Sequence, residues 1–284
     1  MLSPSVAIIV LNYRGERVLS RCLASLELAI GPADHVLVAD NGHEDTLLST
    51  LRSRFPWIET ISTESNRGFA AGMNLGIQRQ IGQRQYDAYW LLNNDASITP
   101  DTLNQLKQAL REKGGHAVFS PVIYQEHTGT PWYAGGRIDY FRMRTVHERS
   151  LSSAHDPYET DFLTGCALFV PREVIASIGL LDERYFLYYE DAAYSLRARR
   201  AGFRLWVVPQ ATVYHSEESR SNPAKTYWLV RSGAEFFLRE SRGWRRGWVR
   251  VVYALRRLKN QLEIWCYPSP MAHEVKRAYT DVSL

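Results

Sequence analysis

Cysteine is scarce. The 284 residues hold three, Cys22, Cys166 and Cys266, which are odd in number, widely spaced and without a C-x-x-C pair. That excludes a disulfide framework and argues against a cysteine-based zinc or redox site, so a reducing compartment is expected. Apolar runs are short as well. None approaches the roughly 18 to 20 uncharged residues of a membrane-spanning helix, so the chain is not expected to cross a bilayer. Basic residues are missing ahead of Val6-Ala-Ile-Ile-Val-Leu11, and that run is too short for a secretory signal core, so it reads as a first buried strand. There is no internal repeat and no low-complexity segment. The net charge of +4 is small, and no nucleic-acid partner is expected. What is present is a hydrophobic content of 45%, enough in a chain of this length to bury a large core, in one α/β domain or in a domain with an appendage.

Short apolar runs alternate with amphipathic stretches through the first half, the rhythm of βαβ units. Strands are predicted over Val6 to Leu11, His35 to Ala39, Ile58 to Ser62 and Ala88 to Leu92. Helices are predicted over Glu16 to Leu28, Glu44 to Arg54 and Gly68 to Ile81, with another opening at Pro100. Strands joined in this way lie parallel and buried, and ligands bind beyond their carboxyl ends. Three polar clusters stand at such ends: Asn12-Tyr13, Asp40-Asn41 and Asn93-Asn94-Asp95. The second half is broken by Pro121, Gly129, Pro131 and Gly135-Gly136. A helix is expected over Ala192 to Ala201, short strands over Phe203 to Val208 and Thr212 to His215, and helix from Ala224 almost to Pro268.

Four constellations bear on chemistry. Leu91-Leu92-Asn93-Asn94-Asp95 ends a buried strand with an acid, and one carboxylate there suffices for Mg²⁺ or Mn²⁺ when substrate phosphates supply the other ligands. Taken alone it also fits an Asx cap. Asp40-Asn41-Gly42 is either an Asn-Gly turn or a carboxylate that accepts from the imide N–H of uracil or thymine. The run from Asn66 to Asn74, with Gly68 and Gly72, opens a helix whose free N–H groups can meet polar or anionic ligand groups. Phe186-Leu187-Tyr188-Tyr189-Glu190-Asp191 sets two acids behind an aromatic run at a helix start. The dipole there favours ionised Asp191, a base that needs no large pKa shift, although first-turn acids are also common caps. His215 ends a short strand, and a neutral imidazole there either completes a metal site with Asp95 or is structural.

These motifs resemble, in order, those of family 2 glycosyltransferases, particularly the bacterial rhamnosyltransferase branch: Val10 to Tyr13, Val38 to Gly42, Asn66 to Ala70, Leu92 to Asp95, Phe162 to Gly165, Phe186 to Asp191, and His215. The resemblance spans roughly residues 6 to 220. It implies an α/β fold of the GT-A type, a mostly parallel Rossmann-like sheet flanked by helices, over residues 1 to 223, followed by a helical extension over 224 to 284. It implies inverting, metal-dependent sugar transfer from a UDP- or dTDP-sugar, with rhamnose one candidate, to a saccharide or lipid-linked acceptor of cell-surface polysaccharide assembly. Asp191, with Glu190 beside it, stands where the base stands, and Asp95 and His215 stand where the metal ligands do. The donor positions correspond to Leu11, Asn12, Tyr13, Asp40, Asn41, Arg67, Gly68, Asn74 and Asn94, and the acceptor positions to Thr164, Gly165 and Tyr189. One departure is plain: the family often has a second acid two residues after the base, and here that position is Ala193.

Between Arg239 and Lys259 stand eight basic residues and one acid, interleaved with Trp and Tyr. Such a helix suits an anionic membrane surface, and the expected location is the cytoplasm, peripheral on the inner face of the cell membrane. Packing on the catalytic domain, or on a second copy in a homodimer, is the other reading. Two rival functions follow from the same residues. A sugar nucleotidyltransferase needs a Gly-rich basic loop after the first strand, and Asn12-Tyr13-Arg14-Gly15-Glu16 is a poor one. A non-catalytic nucleotide-sugar-binding scaffold is the reading that Ala193 motivates.

Overall fold

A computed structural model of the protein describes residues 3–216 and 222–282. The chain begins β1 (Val6–Asn12), α1 (Glu16–Glu27), β2 (His35–Asp40), α2 (Asp45–Arg54), β3 (Ile58–Ser62), α3 (Phe69–Gln83) and β4 (Ala88–Asn93). The predicted bounds of these seven elements agree to within two residues. All four strands are parallel, with β1 between β2 and β4 and β3 outside β2. Every residue of β1 is buried, as a central strand covered on both faces requires. The register sets Asn12 opposite Asp40 and Leu11 opposite Asn93, so three polar strand ends stop at one level.

Then follow β5 (Ala96–Ile98), α4 (Thr102–Lys113), β6 (Ala117–Gln125), β7 (Pro131–Tyr133), β8 (Gly136–Asp139), β9 (Arg144–His147), β10 (Tyr158–Glu159), β11 (Ala167–Pro171), α5 (Arg172–Ile178), α6 (Glu190–Arg200) and β12 (Arg204–His215). The helix expected at Pro100 starts at Thr102, because Ala96–Ile98 first pairs antiparallel with β12. The two short strands expected on either side of Pro209 are one strand, whose pairing with β6 shifts between Val208 and Thr212; proline, lacking an N–H, sits at this irregularity. β11 lies antiparallel between β4 and β6, so the sheet is mixed beyond β4.

The long helical stretch is three helices, α7 (Pro223–Glu240), α8 (Arg245–Cys266) and α9 (Pro270–Thr280). Gly243, at φ +57°, ends one, and Pro268 and Pro270 part the other two. Phe236, Phe237, Val249 and Tyr253 are buried in the same apolar core as the sheet. Trp248 stacks on Phe141 and donates its Nε1–H to the Phe141 carbonyl at 2.9 Å, while Arg256 donates to the Arg142 carbonyl at 2.7 Å. No helix among the described residues is long and apolar enough to cross a membrane.

A buried ion pair fixes the start of the sheet. Lys107 of α4 reaches Asp34 at 2.7 Å, and Asp34 also accepts from the Val6 and Gly31 N–H groups at 3.1 and 2.8 Å. Removing the cation alone leaves a buried charge uncompensated. Lys107→Met is expected to lower unfolding free energy by about 3–5 kcal/mol in urea titration; a loss below about 1 kcal/mol would show that the pair contributes like a surface bridge.

Candidate active site

The level strand ends are stitched together by side chains. Asn94 donates to Asn12 Oδ1 at 2.8 Å, and Asn12 donates to Asp40 Oδ1 at 2.8 Å. Asp40 further accepts from the Gly42 and Glu44 N–H groups at 3.2 and 2.9 Å. Asn12 and Asp40 are completely buried and Leu11 nearly so. Asp40 therefore organises the loops after β1 and β2 from within. Asn41 donates to the Gly68 carbonyl at 2.7 Å and accepts from Thr63 at 3.1 Å. Tyr13 stands half-exposed beyond the strand end with the Arg14 guanidinium over its ring, and Arg67 faces Glu183 at 3.8 Å.

Two expectations for the Gly-rich helix start change. Two of its N–H groups bond within the chain: Gly68 N–H donates to Asn66 Oδ1 at 2.9 Å, and Phe69 N–H to the Phe186 carbonyl at 2.7 Å. Gly68, at φ +87°, has no room for a side chain against Phe186. Asn74, expected at the donor, is buried; it donates to the Leu181 carbonyl and Glu183, both at 2.9 Å, and accepts from Leu181 N–H at 3.0 Å. Its amide is used to dock the Leu181 segment on α3.

The β5–β12 pairing sets Ala96 opposite His215, which brings Asp95 to the same imidazole. His215 Nε2 lies 3.2 Å from Asp95 Oδ1. The pair is close, yet the angles make no hydrogen bond: Asp95 Oδ1 is buried with no partner among the described residues, as is His215 Nδ1. Asp95 Oδ1 and His215 Nε2, 3.2 Å apart and not hydrogen-bonded to each other, are spaced as adjacent ligands of one hard cation, whose bonds are about 2.0–2.1 Å for Mg²⁺. Among the described residues no cluster of three or more His, Cys, Asp or Glu could hold a metal, so the donor set fits an ion whose other ligands come from substrate.

Before α6, Tyr188 and Tyr189 both hold φ of +67°, a left-handed conformation that non-glycine residues seldom adopt. The loop is held there from α7. Ser232 donates to the Leu187 carbonyl at 2.8 Å, and the Tyr189 ring packs against Phe236, Phe237 and Gly233, where a Cβ would lie 2.9 Å from the ring. Asp191 Oδ2 accepts from Gly165 N–H at 2.8 Å and its Oδ1 from Ala192 N–H at 2.7 Å. Burial nevertheless outweighs these bonds and pushes the Asp191 carboxyl up to about 6. The helix dipole alone predicted no large shift; desolvation at the cavity wall reverses that expectation. Glu190 is raised well above the usual carboxyl range, by burial first and by the neighbouring Asp191 charge second. Ala193 packs against the core.

One cavity of about 330 Å³ is lined by Asp95 and His215 and equally by Thr164, Gly165, Tyr189, Glu190 and Asp191. The nine expected donor residues do not line it; their strand-end network adjoins it through Asn94, next to Asp95. Sequence reasoning missed Trp132, Thr145, His147, Lys225 and Leu229, which also line it. They come from β7, β9 and α7, where short irregular strands and a helix end leave no motif. His147 packs its ring on Trp132, 4.5 Å between centroids, and burial lowers its pKa to about 4, so it is neutral at physiological pH.

Among solved structures, GalNAc-T7 with UDP, GalNAc and Mn²⁺ superposes with a TM-score of 0.67 at 16% identity, covering 98% of this chain and 54% of that one, so this chain spans about half its length. The fold is accordingly GT-A, the architecture of a sugar transferase. The glycosyltransferase-like family 2 model matches residues 4–230, and the chain belongs to that family. N-acetylglucosaminyl-diphospho-decaprenol L-rhamnosyltransferase of Mycobacterium tuberculosis is 26% identical over 233 residues, 73% of this chain and 75% of that one. The dTDP-rhamnosyl transferase RfbF of Shigella flexneri is 20% identical over 210 residues, 70% of this chain and 69% of that one. The protein is thus a family 2 glycosyltransferase that is similar to rhamnosyltransferases.

The two raised carboxyls make folding take up protons. Stability conferred by protonated Glu190 is present below about pH 4.5, its usual value, and is lost as pH rises toward its higher folded-state value. Glu190→Gln should therefore gain melting temperature relative to wild type as pH rises from 4.5 to above 6. A gap that stays constant across that range would show that Glu190 does not titrate in the folded protein.

Proposed function

We propose that the protein transfers a sugar, with rhamnose the first candidate, from a dTDP- or UDP-sugar to a lipid-linked saccharide, with inversion at the anomeric carbon. The observation that supports this most directly is the shared cavity, in which the Asp95–His215 pair and Asp191 line one space. The names of the two relatives motivate rhamnose and a diphospho-lipid acceptor. Asp191 takes the proton of the acceptor hydroxyl as that oxygen attacks the anomeric carbon from the face opposite the departing diphosphate. A carboxyl raised to about 6 is a stronger base than an ordinary aspartate and still mostly ionised at neutral pH. Gly165 N–H and Ala192 N–H each hold one carboxylate oxygen and so fix the carboxylate in the cavity wall. The transition state has oxocarbenium character. Asp95 and His215 would hold Mg²⁺ or Mn²⁺, which supplies positive charge against the leaving diphosphate. The strand-end network of Asn94, Asn12 and Asp40 shapes the floor on which the nucleotide rests, with Tyr13 and Arg67 at its rim.

Three experiments test this reading. A thermal-shift screen of dTDP-, UDP- and GDP-sugars, with and without Mg²⁺ or Mn²⁺, should show a donor whose stabilisation needs the metal and disappears in Asp95→Ala; stabilisation unchanged by chelator would refute the metal assignment. Asp191→Asn should cut kcat by about 10²–10⁴-fold and keep the donor's thermal shift. In wild type kcat/KM should climb about tenfold per pH unit below about 6 and level off above, since protonated Asp191 cannot act as base. Intact transfer by Asp191→Asn would mean that another group is the base.

A further inference from the structure

The outer face of α8 is not used by the fold. Val249, Tyr253 and Asn260 turn inward and are buried. At 3.6 residues per turn the opposite side carries Val251, Leu255, Leu258, Leu262 and Trp265, a stripe along the helix whose members are 49 to 83% exposed. Arg250 and Arg257 border it on one flank, where they line a shallow groove with Leu258, and Lys259 borders it on the other. The helix holds six basic residues and one acid. Trp244 before it and Tyr267 after it are both largely exposed.

A narrow apolar stripe between basic flanks, with large aromatics at both ends, matches the boundary between headgroups and acyl chains of an anionic bilayer. A second copy fits worse. Two such faces pressed together bring basic flank against basic flank, with one acid per helix to compensate. We propose that α8 lies in the interface of an anionic membrane, with Val251, Leu255, Leu258, Leu262 and Trp265 turned into the lipid and Arg250, Arg257 and Lys259 at the headgroups.

The site is joined rigidly to this face. Trp248 of α8 stacks at 5.1 Å on Phe141, the exposed tip of the β8–β9 hairpin, and β9 supplies Thr145 and His147 to the cavity wall. A membrane-held acceptor thus meets the cavity one hairpin away from the docking helix, a consequence that rests on the lipid-linked acceptor proposed above. The docking face itself does not depend on that reading.

The full-length protein is sedimented with mixed phosphatidylglycerol–phosphatidylcholine vesicles and with pure phosphatidylcholine vesicles. Wild type should partition to the anionic vesicles and be released by salt. Both the pair Leu255→Glu with Leu262→Glu and the pair Arg250→Glu with Arg257→Glu should weaken partition by about tenfold or more, a basic residue near an anionic surface giving about fivefold. All four positions are exposed, so melting temperature and the donor's thermal shift should stay as in wild type. Equal sedimentation of wild type and both double variants overturns the proposal. So does a wild-type dimer in light scattering that Leu255→Glu with Leu262→Glu dissolves while vesicles fail to bind. Failure of the donor to shift wild type, with vesicle binding intact, would instead count against the transfer reading alone.

Discussion

The loop that delivers Glu190 and Asp191 is fixed to the start of α3 by a backbone hydrogen bond, the Phe69 N–H on the Phe186 carbonyl at 2.7 Å. It is possible because Gly68 has no side chain and holds a positive φ. On one side of it lie the parallel strands, whose ends present Asn12, Asp40 and Asn94. On the other lies the loop that delivers Glu190 and Asp191. A helix N-terminus ordinarily offers free donors to an anion; here its first donor is given to the protein's own loop, so the helix start also fastens that loop. Asn74 repeats the tactic one turn further on by docking Leu181. α3 is in this sense the brace between the level strand ends and the acid loop.

How far the sequence could be read follows from where the information lies. Val6 to Asn93 is built from local signals: apolar runs of strand length, helical periodicity, and turns between them. The bounds there are accurate because β1, β2 and β4 are buried almost throughout and their apolar runs are uninterrupted. Asp95 and His215 were recognisable as a pair from motif order alone, but their approach depends on β5, a three-residue strand following a strand end that reads as a turn. His147, Trp132 and Lys225 were invisible, since nothing local marks a residue whose importance comes from a hairpin folding over a cavity. Asp191 was legible as an acid at a helix start, yet its shifted pKa was not. The dipole is a property of the helix, whereas desolvation belongs to the cavity wall.

Activity and stability pull against each other at the acid loop. Tyr188 and Tyr189 are held in a conformation that costs of the order of 1–3 kcal/mol each, and two adjacent carboxyls are placed where burial opposes their charge. The structure offsets this from behind. Ser232, Gly233, Phe236 and Phe237 of α7 hold the loop, and α8 and the β8–β9 hairpin hold one another. The helices after the sheet thus hold the acid loop in its strained conformation.

The shift in pairing at Pro209 has a further consequence. Successive residues of a strand point to opposite faces, so the side of the sheet on which His215 emerges is a matter of odd or even count from that irregularity onward. A one-residue slip of Thr212–His215 against β5 and β6 would turn the imidazole away from Asp95 while leaving composition and strand propensity untouched. Such a slip separates the imidazole from the carboxylate through parity alone, and a survey by residue type would record both side chains as still present.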